Sequence, residues 1–88
     1  MTRPGDEKRA AERKALGLRL QVLRVQLKHT QTEVANALGV RRNLYAAWES
    51  GTSEPGALDV PRLAEVFRVS PGVFTLTDAM PDITPETP

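Results

Sequence analysis

A short run of nitrogen-rich side chains, Arg41-Arg42-Asn43, falls at the start of a predicted helix. An arginine guanidinium can donate two hydrogen bonds to O6 and N7 of guanine, and an asparagine amide pairs with N6 and N7 of adenine. Adjacent side chains of these types could therefore meet the edges of neighbouring base pairs. Cations at a helix N-terminus also oppose the macrodipole, which favours a functional explanation over simple solvation.

A second polar group precedes this run, where Thr30 and Glu33 have the spacing of a capping box and begin a helix at Gln31. The first amides of a helix lack partners within it, so a phosphate is favoured at that end. The predicted phosphate contacts are Gln31, Arg41, Thr30, Thr32 and Lys28. Capping by itself accounts for Thr30, and a lone lysine such as Lys28 is commonly only solvated.

Catalytic and metal chemistry is argued against by what the chain lacks. His29 is the single histidine and there is no cysteine, so metal ligation and thiol or Ser-His catalysis are not expected. The chain has no glycine-rich phosphate loop, and its carboxylates are scattered. We therefore expect no enzyme activity, no catalytic residues, no metal and no cofactor.

The size of the chain limits it to one small domain. Its 88 residues are 40% apolar, so the core is marginal and needs dense helix packing or self-association. No apolar run approaches the roughly 20 residues that cross a bilayer, and the N-terminus lacks the apolar block of a secretory signal. We expect no membrane partner and a cytoplasmic, nucleoid-associated protein.

The net charge of +1 conceals a polarised molecule. Residues 8–50 carry nine basic and three acidic side chains, whereas residues 51–88 carry two basic and six acidic ones. Such asymmetry suits a body that meets a polyanion with one part and repels it with the other. A solvated charge run is an equally good explanation of the charge pattern alone.

The first element that must position these side chains is a predicted helix over residues 7–28, a stretch without proline. One stripe at helical spacing should face the core: Leu16, Leu20, Leu23 and Leu27. A second stripe lies on nearly the opposite side: Ala11, Leu18, Val22 and Val25.

An ordinary surface helix has only one apolar stripe, so Leu18, Val22 and Val25 should be covered. One explanation is a dimer face, in which a second subunit covers the three side chains. The other is that Leu76 and Met80 fold back onto them within one subunit. The sequence leaves both explanations open.

The two polar groups fall on two short helices. The Gln31 helix ends at Gly39, since glycine best adopts the left-handed conformation that closes a helix. A new helical period then brings Tyr45 and Trp48, predicted as core, before Gly51. Two short helices joined by a glycine-containing turn of about three residues are typical of a helix-turn-helix motif.

The remaining chain supplies two more elements and a tail. A helix is predicted over residues 59–67, and Pro71 opens a final short one. The predicted domain covers residues 7–76, after a flexible N-terminus over residues 1–6. Residues 77–88, rich in proline and acidic side chains, have too little apolar content to fold and are expected to be disordered.

Several fragments in register carry a resemblance to a known family: Leu20-Gln21-Val22-Leu23-Arg24, Thr30-Gln31-Thr32-Glu33-Val34-Ala35, Leu38-Gly39-Val40, Tyr45 to Gly51, Glu54-Pro55 and Leu63 to Ser70. In this order they resemble the Cro and phage-repressor (XRE-like) type of helix-turn-helix. The resemblance covers roughly residues 16–76. It implies an all-α, compact bundle of five helices, of the lambda-repressor-like type with an extended first helix, whose third helix enters the DNA major groove.

The resemblance also assigns roles to single residues. The base contacts that it and the side-chain chemistry suggest are Arg42, Asn43, Leu44 and Ala47. Ala47 stands where many members carry a longer polar base-reader, and Leu44 where a small polar residue is usual. Leu44 could pack on a thymine methyl group or on a neighbouring helix. Arg24 and Glu49 match a structural ion pair between the first helix and the end of the third, and Gln31 matches a phosphate-holding glutamine.

The function implied is a sequence-specific regulator of transcription, a repressor that binds double-stranded DNA. One short helix reads few base pairs, so a homodimer on an inverted repeat is expected, with its two helices about 34–36 Å apart. Two alternatives stay open. One is an antitoxin that represses its own operon and binds a toxin through residues 77–88. The other is an adaptor that kept the fold and binds protein through Leu18, Val22 and Val25.

Overall fold

The computed structural model describes residues 4–74. This part of the chain is all-helical, as predicted, and its elements in order are α1 (Pro4–Gln26), α2 (Gln31–Leu38), α3 (Arg42–Ser50), α4 (Asp59–Phe67) and a 3-10 turn (Pro71–Phe74). The predicted fifth helix is wrong in kind, because Gly72 is a poor helix former and only a four-residue 3-10 turn forms. Within residues 4–74 no helix is long and apolar enough to cross a membrane. Leu76, Met80 and the predicted tail lie outside the described residues.

The first helix begins earlier and ends earlier than predicted. It starts at Pro4, a residue suited to the first turn, and so includes residues 4–6 of the predicted flexible N-terminus. At its other end Lys28 adopts a left-handed conformation (φ 61°), and the His29 amide donates to the Arg24 carbonyl at 3.1 Å. This closing turn carries Leu27 out of the core stripe to 39% exposure, so its predicted core position is wrong.

Every α-helix of the described chain ends in the same backbone arrangement, in which two amides fold back onto carbonyls of the last turn. The left-handed residue that this needs is glycine in α2 (Gly39, φ 76°) and in α3 (Gly51, φ 80°). Lys28 and Arg68 take the same conformation after α1 and α4. The sharp stop at Gly39 keeps the connection from α2 to α3 short.

The core lies where α1 packs across the other helices. Its buried members are Leu16, Leu20, Val34, Ala35, Leu38, Tyr45, Trp48, Leu63, Ala64, Phe67 and Phe74. Tyr45 and Trp48 are buried as predicted, and their rings meet edge to face with centroids 6.1 Å apart. These two aromatic side chains fix the inward side of α3, so its other side must face outward.

Gly17 lets the backbone of α1 touch the end of α3. A Cβ atom at this position would lie 2.3 Å from the Glu49 carbonyl oxygen and 2.6 Å from that of Trp48. Arg13, one turn earlier, donates from Nε to the Gly51 carbonyl at 3.3 Å. The C-terminal end of α3 therefore rests directly on α1 and is capped by a cation, which suits the negative end of its dipole.

We predict that Gly17→Ala lowers the free energy of unfolding by about 1–3 kcal/mol, because the added methyl group collides with backbone oxygens that cannot rotate away. In an uncrowded helix the same change raises stability by about 0.5–1 kcal/mol. Gly5→Ala is the matched control, because nothing lies within 4 Å of a Cβ atom there. Urea denaturation followed by circular dichroism measures both variants. A Gly17→Ala chain as stable as the parent would contradict the close approach of the two helices.

Candidate nucleic-acid interface

The N-terminal turn of α3 projects from the body. Its first side chains, from the N-cap onward, are all exposed: Arg41, Arg42, Asn43 and Leu44. Of the two orientations predicted for Leu44, the structure gives the outward one, with 41% exposure. Arg41 caps the helix without a side-chain hydrogen bond to it, so its guanidinium is not used for capping.

The outward face continues along α3 through small residues. Counting helical spacing from Asn43, this face contains Ala46, Ala47 and Ser50. Both alanines are half-buried, whereas Ser50 is exposed and donates from its hydroxyl to the Ala47 carbonyl at 3.1 Å. Ala46 and Ser50 are not among the predicted contacts, although the spacing from Asn43 could have indicated them. Small side chains here let another surface approach the helix closely.

A chain of hydrogen bonds connects the start of α3 to the start of α2. Arg42 donates from Nη1 to Gln31 Oε1 at 3.0 Å and from Nη2 to Asn43 Oδ1 at 3.3 Å. Gln31 in turn donates from Nε2 to Glu49 Oε1 at 2.9 Å. The Gln31 amide is held in one orientation, because Arg42 binds its oxygen and Glu49 binds its nitrogen. Its second amide hydrogen stays available to a phosphate oxygen.

Arg24 and Glu49, the predicted structural pair, form a two-pronged ion pair. Arg24 Nε donates to Glu49 Oε2 at 2.6 Å, and Nη2 donates to Oε1 at 3.2 Å. The remaining Nη1 donates to the His29 carbonyl at 2.8 Å. The Glu49 side chain is only 6% exposed and that of Arg24 15%. One guanidinium therefore joins α1, the turn before α2 and the end of α3.

The ionisation of this group follows its surroundings. Burial alone would raise the pKa of Glu49, but the donor groups of Arg24, Tyr45 and Gln31 together lower it. The Glu49 carboxylate raises the pKa of Arg24 in return. Burial raises the pKa of Tyr45, and the nearby Glu49 carboxylate adds to the effect. Although the Tyr45 hydroxyl lies close to Glu49, it does not reach the geometry of a full hydrogen bond. Arg24 and Glu49 are thus charged and paired at neutral pH, and Tyr45 is neutral.

The other predicted phosphate contacts lie around the start of α2. Thr30 Oγ1 accepts from the Glu33 amide at 3.1 Å and the Glu33 carboxylate accepts from the Thr30 amide at 2.8 Å, which completes the capping box. The Thr30 hydroxyl is therefore engaged in capping. Thr32 and Lys28 are exposed. Among residues 4–74, no group of three or more acidic or histidine side chains could hold a metal ion.

The three residues predicted as a dimer face do not contribute to this surface. Leu18, Val22 and Val25 lie on α1, 60%, 46% and 57% exposed. Residues 4–74 leave all three about half exposed. Their side of α1 is opposite to the side that carries Leu16 and Leu20.

Two short helices joined by a tight glycine turn, the second exposed at its N-terminal end, define a helix-turn-helix protein. The family model described as "Helix-turn-helix" matches residues 20–74, and the chain belongs to this family. The resemblance predicted from the sequence is thereby confirmed. No solved structure matches the chain.

Two curated relatives are similar to it. The cryptic phage CTXphi transcriptional repressor RstR of Vibrio cholerae is 41% identical over 51 residues, which cover 58% of this chain and 46% of RstR. The HTH-type transcriptional regulator DicA of Escherichia coli (strain K12) is 34% identical over 70 residues, 80% of this chain and 52% of DicA. The chain spans about half the length of these relatives.

We predict that Glu49→Gln lowers the free energy of unfolding at neutral pH by about 2–4 kcal/mol, because it strands the mostly buried Arg24 charge. The pKa of Glu49 is depressed, so its stabilising contribution is present above the ordinary value of 4.5 and is lost as the pH falls through the folded-state pKa. As the pH falls below 4.5, the free energy of unfolding of Glu49→Gln should therefore decrease less steeply than that of the parent chain. Chemical denaturation at stepped pH measures the slope.

Glu33→Gln serves as the comparison for this prediction. The pKa of Glu33 is lowered by the backbone amide of Thr30. The Glu33 carboxylate therefore also stabilises the fold above its ordinary pKa and loses this effect in acid, but it holds no buried cation. A double variant should have a flatter profile than either single one. Identical slopes in the parent and in Glu49→Gln would show that this carboxylate is not charged and paired in the fold.

Proposed function

We propose that this protein is a sequence-specific regulator of transcription, a repressor that binds an inverted-repeat operator in double-stranded DNA as a homodimer. The observation that carries the proposal is the exposed first turn of α3, held at a fixed angle by the Arg24–Glu49 ion pair at its far end. Family membership supports it, as do the two relatives, whose names describe a transcriptional repressor and a transcriptional regulator.

Base recognition is assigned to Arg42 and Asn43 with the small residues behind them. The major groove admits an α-helix, and Asn43 can pair with adenine while Arg42 pairs with guanine. Arg42 has five N–H donors, so it can keep its bond to Gln31 and still reach a base edge. Leu44 and Ala47 offer methyl groups to thymine. Arg42 therefore enters the groove already positioned, which lowers the entropy lost on binding.

Phosphate binding is assigned to the start of α2 and the side chains beside it. The free amide hydrogen of Gln31 and the N-terminal dipole of α2 both favour an anion. Lys28, which precedes α2 in the sequence, and Arg41, which follows it, are both exposed. Thr32 adds a hydroxyl group. The net charge of residues 8–50, +6, supplies the long-range attraction.

A homodimer follows from the small reading surface of one subunit. The exposed first turn of α3 can reach only a few base pairs, too few for a specific site. Two-fold symmetry places a second α3 about 34–36 Å away on the same face of the DNA. Each half-site is then read by the same residues, and an operator with inverted symmetry is expected.

We predict that Arg42→Ala weakens binding to the selected operator by about 1–3 kcal/mol and relaxes base choice at one position of each half-site. Selection of the 88-residue chain on a random duplex library, followed by sequencing, defines the operator. Fluorescence titration then compares operator and random DNA. Equal losses on both would reduce Arg42 to a phosphate contact.

Lys28→Ala is the matched variant for a phosphate contact. It should weaken binding to all sequences by a similar factor and reduce the slope of log affinity against log salt by about 1. Sedimentation of the complex should give two chains per operator duplex. A library that yields no enriched sequence, or binding that does not change with salt, would refute the proposed function and favour a protein-binding adaptor.

A further inference from the structure

Leu18, Val22 and Val25 form an apolar stripe on the outer side of α1, called here the outer stripe. All three side chains are about half exposed, and no residue between 4 and 74 covers them. Exposed apolar surface that is continuous along one helix is disfavoured in water and marks a docking site. The proposed DNA interface does not use this stripe, because the residues of that interface lie on α2, α3 and the turn before α2.

The described part of the chain ends against α1, where Phe74 lies near Leu16 and Val73 is held by Arg19. The Arg19 guanidinium donates to the Val73 carbonyl, and the next residue, Phe74, is buried. Arg19 follows Leu18 directly and is a surface neighbour of Val22 at helical spacing i, i+3. The described chain therefore ends close to Arg19, which adjoins both Leu18 and Val22.

The remaining chain is long enough to cover the stripe. Residues 75–88 number 14, and an extended chain covers about 3.3 Å per residue. Leu18 to Val25 occupies only about 10 Å of helix. A handful of residues after Phe74 is sufficient, so no strained or fully stretched path is needed.

The chemistry of residues 75–88 complements that of α1. This segment contains no basic side chain. Its apolar and acidic side chains alternate along the chain: Leu76, Asp78, Met80, Asp82, Ile83 and Glu86. The outer stripe is flanked by cations, Lys14 one turn before Leu18 and Arg19 one turn before Val22. A second copy of α1 would carry the same two cations beside its own stripe, whereas the charged residues among 75–88 are all acidic. Charge thus favours the acidic segment over a second subunit.

We propose that residues 76–83 of the same chain dock along the outer stripe, with Leu76 and Met80 on Leu18 and Val22. The acidic side chains of the docked segment, Asp78 and Asp82, then lie near Lys14 and Arg19. Attachment through Phe74 makes this docking intramolecular, at a high effective concentration. It removes the one apolar surface through which α1 could self-associate and leaves the α2–α3 face open.

The absence of cysteine from the chain allows a direct test. Val22→Cys in the 88-residue chain places a single thiol in the outer stripe. The rate at which this thiol reacts with a soluble disulfide reagent reports whether the stripe is covered. We expect the Val22→Cys thiol to react about tenfold more slowly than the thiol of Leu58→Cys, a site that is 85% exposed. The factor by which docking slows the reaction equals the ratio of docked to undocked molecules. Adding Leu76→Asp and Met80→Asp should restore the fast rate.

Thr84→Asp with Thr87→Asp is the matched control, because it adds the same charge without removing an apolar side chain, and it should leave the thiol of Val22→Cys protected. Oxidation of a chain that carries both Val22→Cys and Leu76→Cys should give a monomer on a non-reducing gel. Equal reactivity of the stripe thiol in all variants would overturn the proposal. So would protection that disappears on dilution, or a disulfide dimer formed by mixing the two single-cysteine chains, because either result assigns the stripe to a second subunit.

Discussion

The pairing of Glu49 with Arg24 is the interaction on which the position of α3 depends. Removal of either charge from water is costly unless it is paired and its hydrogen-bonding groups are used. Glu49 meets this requirement with two bonds from Arg24 and one from Gln31. Three segments of the chain must therefore converge on one carboxylate, and a shift of any one of them would leave part of a buried charge without a partner.

Glu49 is the penultimate residue of α3, so the anchor acts at the C-terminal end of this helix. Gly17 and Arg13 of α1 hold the same end, one by permitting backbone contact and the other by binding the Gly51 carbonyl. The N-terminal turn is consequently the free end. Its cations, which oppose the dipole of their own helix, are held outward from the body, and the bond from Arg42 to Gln31 limits their freedom.

Helix α1 thus serves two surfaces with opposite requirements. Its inner side holds α3 through Gly17 and Arg24, while its outer side is apolar between cations. The sequence predicted both sides of this helix from periodicity alone. It misplaced Leu27, however, because the left-handed turn at Lys28 comes from a residue that carries none of the signals of a helix end. The glycine stops at Gly39 and Gly51, by contrast, were readable in advance.

Features with local causes could be predicted from the order of the residues: the capping box at Thr30, the ends of α2 and α3, and the burial of Tyr45 and Trp48. Neighbouring residues specify these features, so no distant contact is needed. The family resemblance supplied the Arg24–Glu49 pair. Other features became visible only in the folded chain: Gly17 is a contact point, Gln31 joins Glu49 to Arg42, and Ala46 and Ser50 share the outward face. Those features depend on the angle between helices, which is fixed by packing and not by any one segment.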